Sequence, residues 1–571
     1  MSLLQTVDST QEIDTNNMRN HTIITETTDS GENRRSRARP PDHLHRGLRG
    51  RNLVLISIAG SIGTALFVGI GIPLSQGGPL SLLLGFSTFG LLILLPTQYA
   101  VAEMCALLPM ESTIFHFADR FVDPAFAFAI AWNYFYGGAI VIALEATAAA
   151  SLVGFWSSAN SGIWIAVALV TNFLVNIYTV RWYGEVESVF AVFKILLITG
   201  LIIMTVVTAL GANPIHDRYG FRTWKAPGPM FEYLLPGNAG RFFGFLRSLV
   251  YAGLVMGGPD VLAMQAGEAQ NPRVNIPRAA RKVVFRLLFF YLAGALSVGM
   301  ICDTNDPLFK QAVASGTSGA AGSPWVLGMK RLHITGVTDL LNALILTSVW
   351  SGGNSAAYSS SRTLYSLALE GKAPRFLKTL SSRGIPVNCV IVVHLIGCIG
   401  FLAISNNALV VFGWLADLAT IAWLMTFFAI NVTFLRFHAG MKAQKLNRQA
   451  QQGDDRNGLP YVGTFQPYWS WIGAISLAFI ILANGYYVFL PGKFVARGFV
   501  TSYFGIAFGV TLFVIGKLWW KTKLVRLREM DIFGEDKQRF DEEDELVWKL
   551  VLEDRRKTKA GYMSQWVDKW L

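Results

Sequence analysis

The sequence is poor in charged residues. Only 15% of its 571 residues are Asp, Glu, Lys or Arg, whereas 52% are hydrophobic and 39 are phenylalanine. An average globular chain carries about a quarter charged residues, so a soluble protein of this composition could not cover its surface. Because a spanning helix takes about 20 apolar residues, the composition predicts a polytopic membrane protein. It excludes a soluble enzyme, a fibrous protein and a secreted disulfide scaffold.

Cysteine is scarce as well, and the four present are scattered: Cys105, Cys302, Cys389 and Cys398. They form no CxxC motif and have no histidine at a ligand spacing, so neither a disulfide framework nor a metal site is predicted. No nucleophile–base pair recurs in the loops, so neither catalytic residues nor enzymatic activity are expected. The net charge of +12 comes from basic residues that flank apolar segments. This pattern indicates membrane orientation rather than nucleic-acid binding.

Polarity divides the chain into three parts. Residues 1–51 are rich in Thr, Asp, Asn and Arg and predict a disordered tail. Residues 52–520 predict an all-α membrane domain in which apolar runs alternate with short polar loops, and residues 521–571 form a second, charged tail. Basic residues cluster in the loops after predicted spans six, eight and ten, which places both tails in the cytosol. The twelve predicted spans are about 53–72, 79–101, 126–156, 162–180, 186–210, 245–266, 284–302, 336–366, 387–405, 408–435, 469–490 and 500–520.

Two of these spans are interrupted at corresponding places. The first contains AGSIGTA at 59–65, and the sixth contains GLVMGGPD at 253–260. Glycine adopts non-helical dihedral angles at little cost, and proline removes a backbone donor. Irregular backbone at membrane depth is tolerated only where it is buried or lines a cavity. Two broken helices, five helices apart, therefore indicate a transporter with inverted repeats and a site at the membrane midplane. Close helix packing through glycine is the alternative.

Several motifs, in the same order along the chain, resemble those of the fungal amino-acid permeases of the amino acid–polyamine–organocation superfamily. They include GSIGTALFVGIG at 60–71, AGEAQNPRVNIPRA at 266–279 and GNSAAYSSSRTLYSLALEGKAPRF at 353–376. NPIHDRYGFRTW at 213–224 and GGPD at 257–260 look like the branch associated with carnitine and polyamine uptake. The resemblance implies proton-coupled uptake across the plasma membrane. It also implies two inverted five-helix repeats, about 53–210 and 245–435, followed by two extra helices within 469–520.

The resemblance places the substrate at the two breaks. A half-helix that starts after the first break offers free N–H groups and a positive dipole end, which suit a carboxylate. Carbonyl groups freed at both breaks can accept hydrogen bonds from an ammonium, and side chains from other spans would select the substrate. The predicted substrate-binding residues are Ala59, Gly60, Ser61, Ile62, Gly63, Thr64, Tyr251, Gly253, Met256, Trp350, Ser351 and Asn354.

Three ionisable residues inside the spans are predicted to couple transport to protons, because charge at this depth is costly. Lys194 is the first lysine in the chain and matches the family lysine thought to replace a sodium ion. The alternative for Lys194 is a snorkelling lysine or a structural pair with Glu185 or Glu187. Glu145 is predicted to carry a proton or contact a cationic substrate, with a helix-packing hydrogen bond as the alternative. Asp260 is predicted to cap the second half-helix, with gating or protonation as the other role.

Other polar and aromatic residues point less specifically to a role. Glu103 is predicted to lie near Arg120 at the cytosolic ends of their helices, either as an inner-gate ion pair or as solvated loop charges. Asp417, within span ten, is predicted to face the vestibule. Tyr134 belongs to an aromatic run that the sequence assigns to packing or to the interface belt.

The leading hypothesis is a proton-coupled amino-acid importer with no cofactor beyond the proton. The alternatives are a transporter of carnitine, choline or polyamines, a sensor that binds amino acids without transport, and an exporter of a secondary metabolite. The expected partners are the substrate, membrane lipid and ubiquitin-ligase machinery, and nucleic acid is not expected. Because the amino-terminal tail has no lysine, ubiquitination is expected on the carboxy-terminal lysines: Lys521, Lys523, Lys537, Lys549, Lys557, Lys559 and Lys569.

Overall fold

The computed structural model describes residues 54–533, apart from residues 55–56, 59, 62, 64, 111–112, 179, 267–268, 270–271, 316–322, 335, 406–407, 447 and 449–458. Every regular element within these residues is a helix. The predicted amino-terminal tail lies outside the described residues, as does the carboxy-terminal tail beyond Phe533.

Seventeen α-helices are described within these residues, together with short π and 3₁₀ segments. The α-helices are α1 (Gly71–Phe89), α2 (Leu95–Leu107), α3 (Thr113–Phe121), α4 (Pro124–Val153), α5 (Ser161–Tyr178), α6 (Val180–Ala209), α7 (Arg222–Lys225), α8 (Gly237–Val255), α9 (Pro259–Met264), α10 (Pro272–Ile301), α11 (Pro307–Ser315), α12 (Pro324–Arg331), α13 (Val337–Leu369), α14 (Val387–Gly397), α15 (Ala408–Ala443), α16 (Tyr468–Ala483) and α17 (Ala496–Trp520). The π segments are Ala65–Gly69 and Gly90–Leu94, and the 3₁₀ segments are Arg375–Lys378, Cys398–Ile404 and Tyr486–Phe489.

Nine helical stretches of the described chain are long and apolar enough to cross a membrane. The prediction of an all-α membrane protein is therefore confirmed at this level. The nine stretches are Gly71–Leu107, Pro124–Val153, Ser161–Tyr178, Gly184–Ala209, Gly237–Met264, Pro272–Ile301, Val387–Ile404, Val410–Ala443 and Ala496–Trp520.

The longest stretch contains a kink where the sequence predicts a loop between spans one and two. Gly78 has a φ of +82°, outside the helical region, and Pro79 follows it inside α1. Pro229 fixes this bend, because its carbonyl oxygen accepts the Leu80 N–H at 2.8 Å. The chain changes direction at a left-handed glycine while helix continues on both sides, so no separate loop is needed.

Helix α4 lies at the centre of the molecule. Of the 18 consecutive residues that form its most apolar part, 83% are buried, whereas the corresponding shares in α5 and α17 are 28% and 22%. Helices α13, α15 and α17 all pack on α4. The outer helices α5, α6 and α17 expose large apolar side chains such as Leu174, Leu196 and Leu518, as a surface in contact with lipid requires.

Helices α1 and α8 pack together through glycine. A Cβ atom on Gly77 would lie 2.6 Å from the carbonyl oxygen of Gly244, and one on Gly85 would lie 2.8 Å from the Ser248 Cβ. Real side chains do not fit at these distances, so the two backbones approach as closely as small residues allow. Helix α1 and α8, the first half of the broken α8–α9 span, therefore form one tightly packed pair.

The first residues of the carboxy-terminal tail are docked rather than free. Val525 donates its N–H to the Val122 carbonyl at 3.0 Å, and Arg120 forms an ion pair with Asp531 at 2.5 Å. Met530 and Ile532 are each only 2% exposed. The segment 522–533 thus packs against the end of α15 and the α3–α4 junction, although its sequence suggested a charged tail.

Candidate functional site

The first break lies just before the π segment Ala65–Gly69. The Ser61 hydroxyl donates to the Ser57 carbonyl at 2.6 Å and so fills an acceptor in the preceding turn. A Cβ atom on Gly60 would lie 3.4 Å from a methyl of Val261 in α9, which places the second half-helix against the first break. Ala59, Ile62 and Thr64, which the sequence assigns to the site, lie outside the described residues.

The second break separates α8 from α9. Gly258 has a φ of +135°, a conformation that a residue with a side chain adopts only under strain. Asp260 lies two residues further along and is 4% exposed. One of its carboxylate oxygens accepts the Gly258 N–H at 3.2 Å, and the other accepts the Tyr134 hydroxyl at 3.3 Å. This carboxylate thus satisfies a backbone donor at the start of α9 and ties it to α4.

The two breaks are in direct contact. A Cβ atom on Gly258 would lie 3.0 Å from the Ser61 hydroxyl oxygen, and one on Gly257 would lie 3.9 Å from the Ser61 Cα. The hydroxyl of Tyr291, in α10, lies 2.9 Å from the carbonyl oxygens of both Ser61 and Val255. One tyrosine hydroxyl is therefore placed to donate to a backbone acceptor at each break, with its single proton shared between the two carbonyls.

Three ionisable side chains lie buried close to the first break. Lys194 is 1% exposed, Glu187 is fully buried and Glu145 is 6% exposed. Both carboxyl groups act electrostatically on the ammonium of Lys194. A hydroxyl of α13 joins the cluster, because Ser351 donates to the Glu187 carboxylate at 2.6 Å. The cluster therefore links α4, α6 and α13 in the interior of the molecule.

Glu145 connects this cluster to the first break. Its Oε1 would lie 3.2 Å from a Cβ atom on Gly63 and 3.0 Å from one on Gly352 in α13. Glycine at both positions leaves room for the carboxylate between the broken segment and α13. A change of charge at Glu145 is therefore felt directly by the backbone of the first break.

Comparison with known proteins shows the family to which the chain belongs. The amino acid permease family model matches residues 52–529. The chain belongs to the amino acid permease family. It is 37% identical over 86% of its length to a proline-specific permease of Emericella nidulans, 88% of which is covered. It is 38% identical over 83% of its length to a probable proline-specific permease of Schizosaccharomyces pombe, 85% of which is covered.

A third relative belongs to a different named class within the family. The general amino acid permease AGP2 of Saccharomyces cerevisiae is 36% identical over 83% of this chain, and 79% of that relative is covered. The predicted resemblance to fungal amino-acid permeases is thereby confirmed. As a permease the chain is a multi-pass membrane transporter, and its relatives are transport proteins rather than enzymes.

Two predicted selectivity residues of the permease lie on another face of α13. The indole N–H of Trp350 donates to the Thr171 hydroxyl at 2.8 Å, and the Asn354 side-chain oxygen accepts from Asn176 at 2.8 Å. Both partners belong to α5. One helical turn separates Trp350 from Asn354, so they share this face, whereas the neighbouring Gly352 faces Glu145. The sequence could not assign these faces, because α13 is polar on several sides.

The remaining predicted site residues lie in and just after α8, close to the second break. The Tyr251 hydroxyl donates to the Ala65 carbonyl at 2.9 Å, so this side chain reaches from α8 to the first broken segment. Gly253 packs closely against Leu424 of α15. Met256 is fully buried at the end of α8.

Sequence reasoning missed Tyr291 and gave Tyr134 only a packing role. Both hydroxyls hold the breaks, through Ser61 and through Asp260 respectively. Tyrosine is common in membrane spans, so its presence carries no distinct signal. A partner 230 residues away along the chain cannot be deduced from local sequence.

Both alternatives for Glu103, an ion pair with Arg120 and a solvated loop charge, are wrong. Glu103 is fully buried and receives two hydrogen bonds from Arg448, at 3.0 and 2.8 Å, as well as the Gly463 N–H at 2.8 Å. Arg120 pairs with Asp531 instead. The segment after α15 folds back onto the end of α2. The partner of Glu103 is therefore Arg448, which is far away along the chain, and not the nearby Arg120.

Proposed function

We propose that this permease imports amino acids across the plasma membrane by proton-coupled alternating access. The observation that carries the proposal is the contact between the two helix breaks at Ser61 and Gly258, with Glu145 of the buried charge cluster beside Gly63. A midplane site formed by two broken helices is the arrangement of transporters built from inverted repeats. In this proposal the coupling ion is a proton, and the coupling residues are Lys194, Glu145 and Asp260.

The proposal includes twelve spans with both tails in the cytosol. The apolar residues from 53 to the kink at Gly78 form the first span, and the kink begins the second. Helix α13 has 33 residues, enough to cross a bilayer at 1.5 Å per residue, and its serine and asparagine side chains lower its hydropathy. Helix α16 is a shorter apolar helix that supplies the eleventh span. Residues 53–210 and 245–435 are then the two inverted repeats.

The first substrates to test are small neutral amino acids, starting with proline, since two relatives are named as proline-specific. A cationic amine could be recognised by an aromatic face or by a second carboxylate in the cavity, but two such side chains are engaged elsewhere. Asp417 is paired with Arg247, and Trp350 binds Thr171. Glu145 is the remaining acidic candidate, and it lies next to Lys194.

Uptake in cells stripped of their own amino-acid permeases tests this function. Amino acids, carnitine, choline and polyamines are compared at acidic and neutral external pH. We expect amino-acid accumulation to rise with external acidity. Uptake of only the amines would favour the second transporter class, and efflux would favour an exporter. No movement of any compound by a protein at the surface would favour a sensor and contradict the proposal.

Lys194→Ala tests proton coupling in the same assay. Because Lys194 is the buried cation of the cluster, we expect this variant to lose pH-dependent accumulation while reaching the cell surface. Lys330→Ala, which removes an exposed lysine from α12, is the matched control. Accumulation by Lys194→Ala that still rises with acidity would remove Lys194 from the mechanism.

A further inference from the structure

A second charged pair lies about two helical turns from the breaks, towards the start of α8. Arg247, in α8, and Asp417, in α15, form an ion pair with 3.7 Å between nitrogen and oxygen. Their side chains are 17% and 23% exposed, so solvent reaches both. Helices α8 and α15 begin at the same end of the molecule, which the predicted topology places outside the cell.

The pair stands over the tyrosine that approaches the first break. Arg247 precedes Tyr251 by four residues, so the two side chains share one face of α8. The Tyr251 hydroxyl binds the Ala65 carbonyl, and Phe412 of α15 packs beside Tyr251 around Gly69. A molecule moving from this end toward the breaks therefore meets the ion pair first and Tyr251 second.

Arg247 has a second contact besides Asp417. Arg247 also donates from Nε to the Gln76 side chain at 3.2 Å, and the glycine contacts between α1 and α8 lie at this level. These contacts hold the guanidinium on the α1–α8 pair. Asp417 is carried by α15, and the ion pair joins it to α8 here. Opening at this level therefore separates Asp417 from Arg247.

The Arg247–Asp417 contact is also longer and more exposed than the Glu103–Arg448 ion pair. Arg448 contacts Glu103 through two hydrogen bonds, at 3.0 and 2.8 Å, and that carboxylate is fully buried. Charge-assisted bidentate contacts of this kind are the strong ones, whereas a partly exposed pair contributes little. The Arg247–Asp417 contact therefore costs little to break, provided that both charges find new partners.

We propose that Arg247 and Asp417 form an outer latch that the zwitterion of an amino acid opens. The substrate carboxylate takes the place of Asp417 on the guanidinium, and its ammonium takes the place of Arg247 on the carboxylate. Each of the two charges then keeps a counter-charge while α15 moves from α8, so neither is left unpaired. The ligand class, an α-amino acid with both groups ionised, rests on the proposed function.

The latch is tested with a reporter cysteine, Leu254→Cys, which lies seven residues beyond Arg247 toward the breaks, on the same face of α8. The exposed native cysteine is removed by Cys398→Ser, and labelling with a membrane-impermeant thiol reagent is timed from outside intact cells. In this background Asp417→Asn should speed labelling several-fold without substrate. The exchange Arg247→Asp with Asp417→Arg, which restores an ion pair, should return the rate to that of the parent. Glu103→Gln, at the other end, is the control for loosening elsewhere.

Addition of substrate tests the zwitterion. An amino acid should speed labelling in the parent but not in Asp417→Asn, and neither its decarboxylated amine nor its deaminated acid should do so. Parent-like labelling of Asp417→Asn would overturn the latch, whether or not the cells take up amino acids. If labelling is faster in Asp417→Asn but no amino acid speeds it in the parent, the latch exists but the proposal that the zwitterion opens it is wrong. Failure of the proposed function is read separately, as absence of uptake.

Discussion

The buried charge cluster explains how single residues can bind a proton in the membrane interior. With Lys194, Glu187 and Glu145 all ionised, the cluster carries one net negative charge. An uncompensated charge at this depth costs several kcal/mol, and binding one proton removes it. Glu145 is the carboxylate that also touches the first break at Gly63. In the proposed mechanism, the proton and the substrate therefore act on the same segment of backbone.

Glu187→Gln separates the charge of this carboxylate from its hydrogen bond. The amide oxygen of glutamine still accepts from Ser351, but one counter-charge of Lys194 is lost. The variant leaves Lys194 and Glu145 as a pair with no net charge, so no proton is needed to neutralise the cluster. We therefore expect the protein to reach the surface and its uptake to depend less on pH. Surface level and uptake between neutral and acidic pH measure both effects.

Ser351→Ala is the matched control, since it removes the hydrogen bond and keeps the charge. It should retain the pH dependence of uptake, although it costs about 1 kcal/mol of stability. Equal pH profiles for Glu187→Gln and the parent would show that Glu187 is only structural.

Gly69→Ala tests the fit of Tyr251 against the first segment. A methyl group at position 69 would collide with the Tyr251 hydroxyl. We therefore expect Gly69→Ala to lose surface protein and uptake. Tyr251→Phe removes the colliding oxygen, so Gly69→Ala with Tyr251→Phe should recover folded protein, as measured by thermal unfolding. A double variant no more stable than Gly69→Ala would mean that the collision lies elsewhere.

A functional residue could be predicted from the sequence when its type is rare within apolar spans. Lys194 and Glu145 stand out because ionisable groups are few within apolar runs, and the structure brings them together. Tyr291 does not stand out, because its role depends on a backbone carbonyl exposed by a distant break. The face on which Trp350 lies depends on helix rotation, which a helix polar on several sides does not reveal.

At the scale of elements, the two breaks could be predicted because glycine and proline interrupt apolar runs in the sequence. Their contact could not, since it requires α10 to place Tyr291 between them. The kink at Gly78 was predicted as a loop because proline after two glycines usually ends a helix. The acceptor for the Leu80 N–H, which lets helix resume at once, comes from the distant Pro229.

Two adjacent glycines at the second break provide a matched pair of variants. Gly258 has a φ of +135°, and a Cβ there would lie 3.0 Å from both Ser61 and Leu287. Such a backbone conformation costs about 1–3 kcal/mol for other residues, so Gly258→Ala should lower the unfolding temperature. A Cβ on Gly257 meets only the Ser61 Cα, at 3.9 Å, so Gly257→Ala should unfold close to the parent. Equal unfolding temperatures for the two variants would contradict this account of the break.

At the scale of the whole molecule, distant parts of the chain meet at the end opposite the latch. The segment 522–533 binds the α3–α4 junction and α15, and the segment after α15 returns to Glu103. The sequence shows only charged stretches here, because the acceptors are backbone carbonyls and the partners are far away along the chain. Lys521, just before this docked segment, and Lys523, within it, are both exposed, so these two of the predicted ubiquitination sites are accessible.

The pH dependence of this docking follows from Asp123, which precedes α4. Burial acts to raise the pKa of its carboxyl, but hydrogen bonds from Lys517, Thr522 and the Ala125 N–H outweigh it and hold the pKa below its usual range. A lowered pKa contributes stability that is present above the unfolded value of about 3.9 and is lost as the pH falls through the folded value. Docking of the segment that begins at Thr522 should therefore be constant between about pH 5 and 8 and weaken only in stronger acid.

Hydrogen exchange of residues 522–533 in the purified permease, corrected for the intrinsic dependence of exchange on pH, measures this docking. Asp123→Asn removes the charge and keeps the shape, so it should raise exchange at neutral pH and abolish the further rise in strong acid. Arg528→Ala, at an exposed position of the same segment, should exchange like the parent. Exchange in the parent that rises steadily from pH 8 to pH 5 would contradict the prediction, because a group with a pKa near neutrality would then hold the segment in place of Asp123.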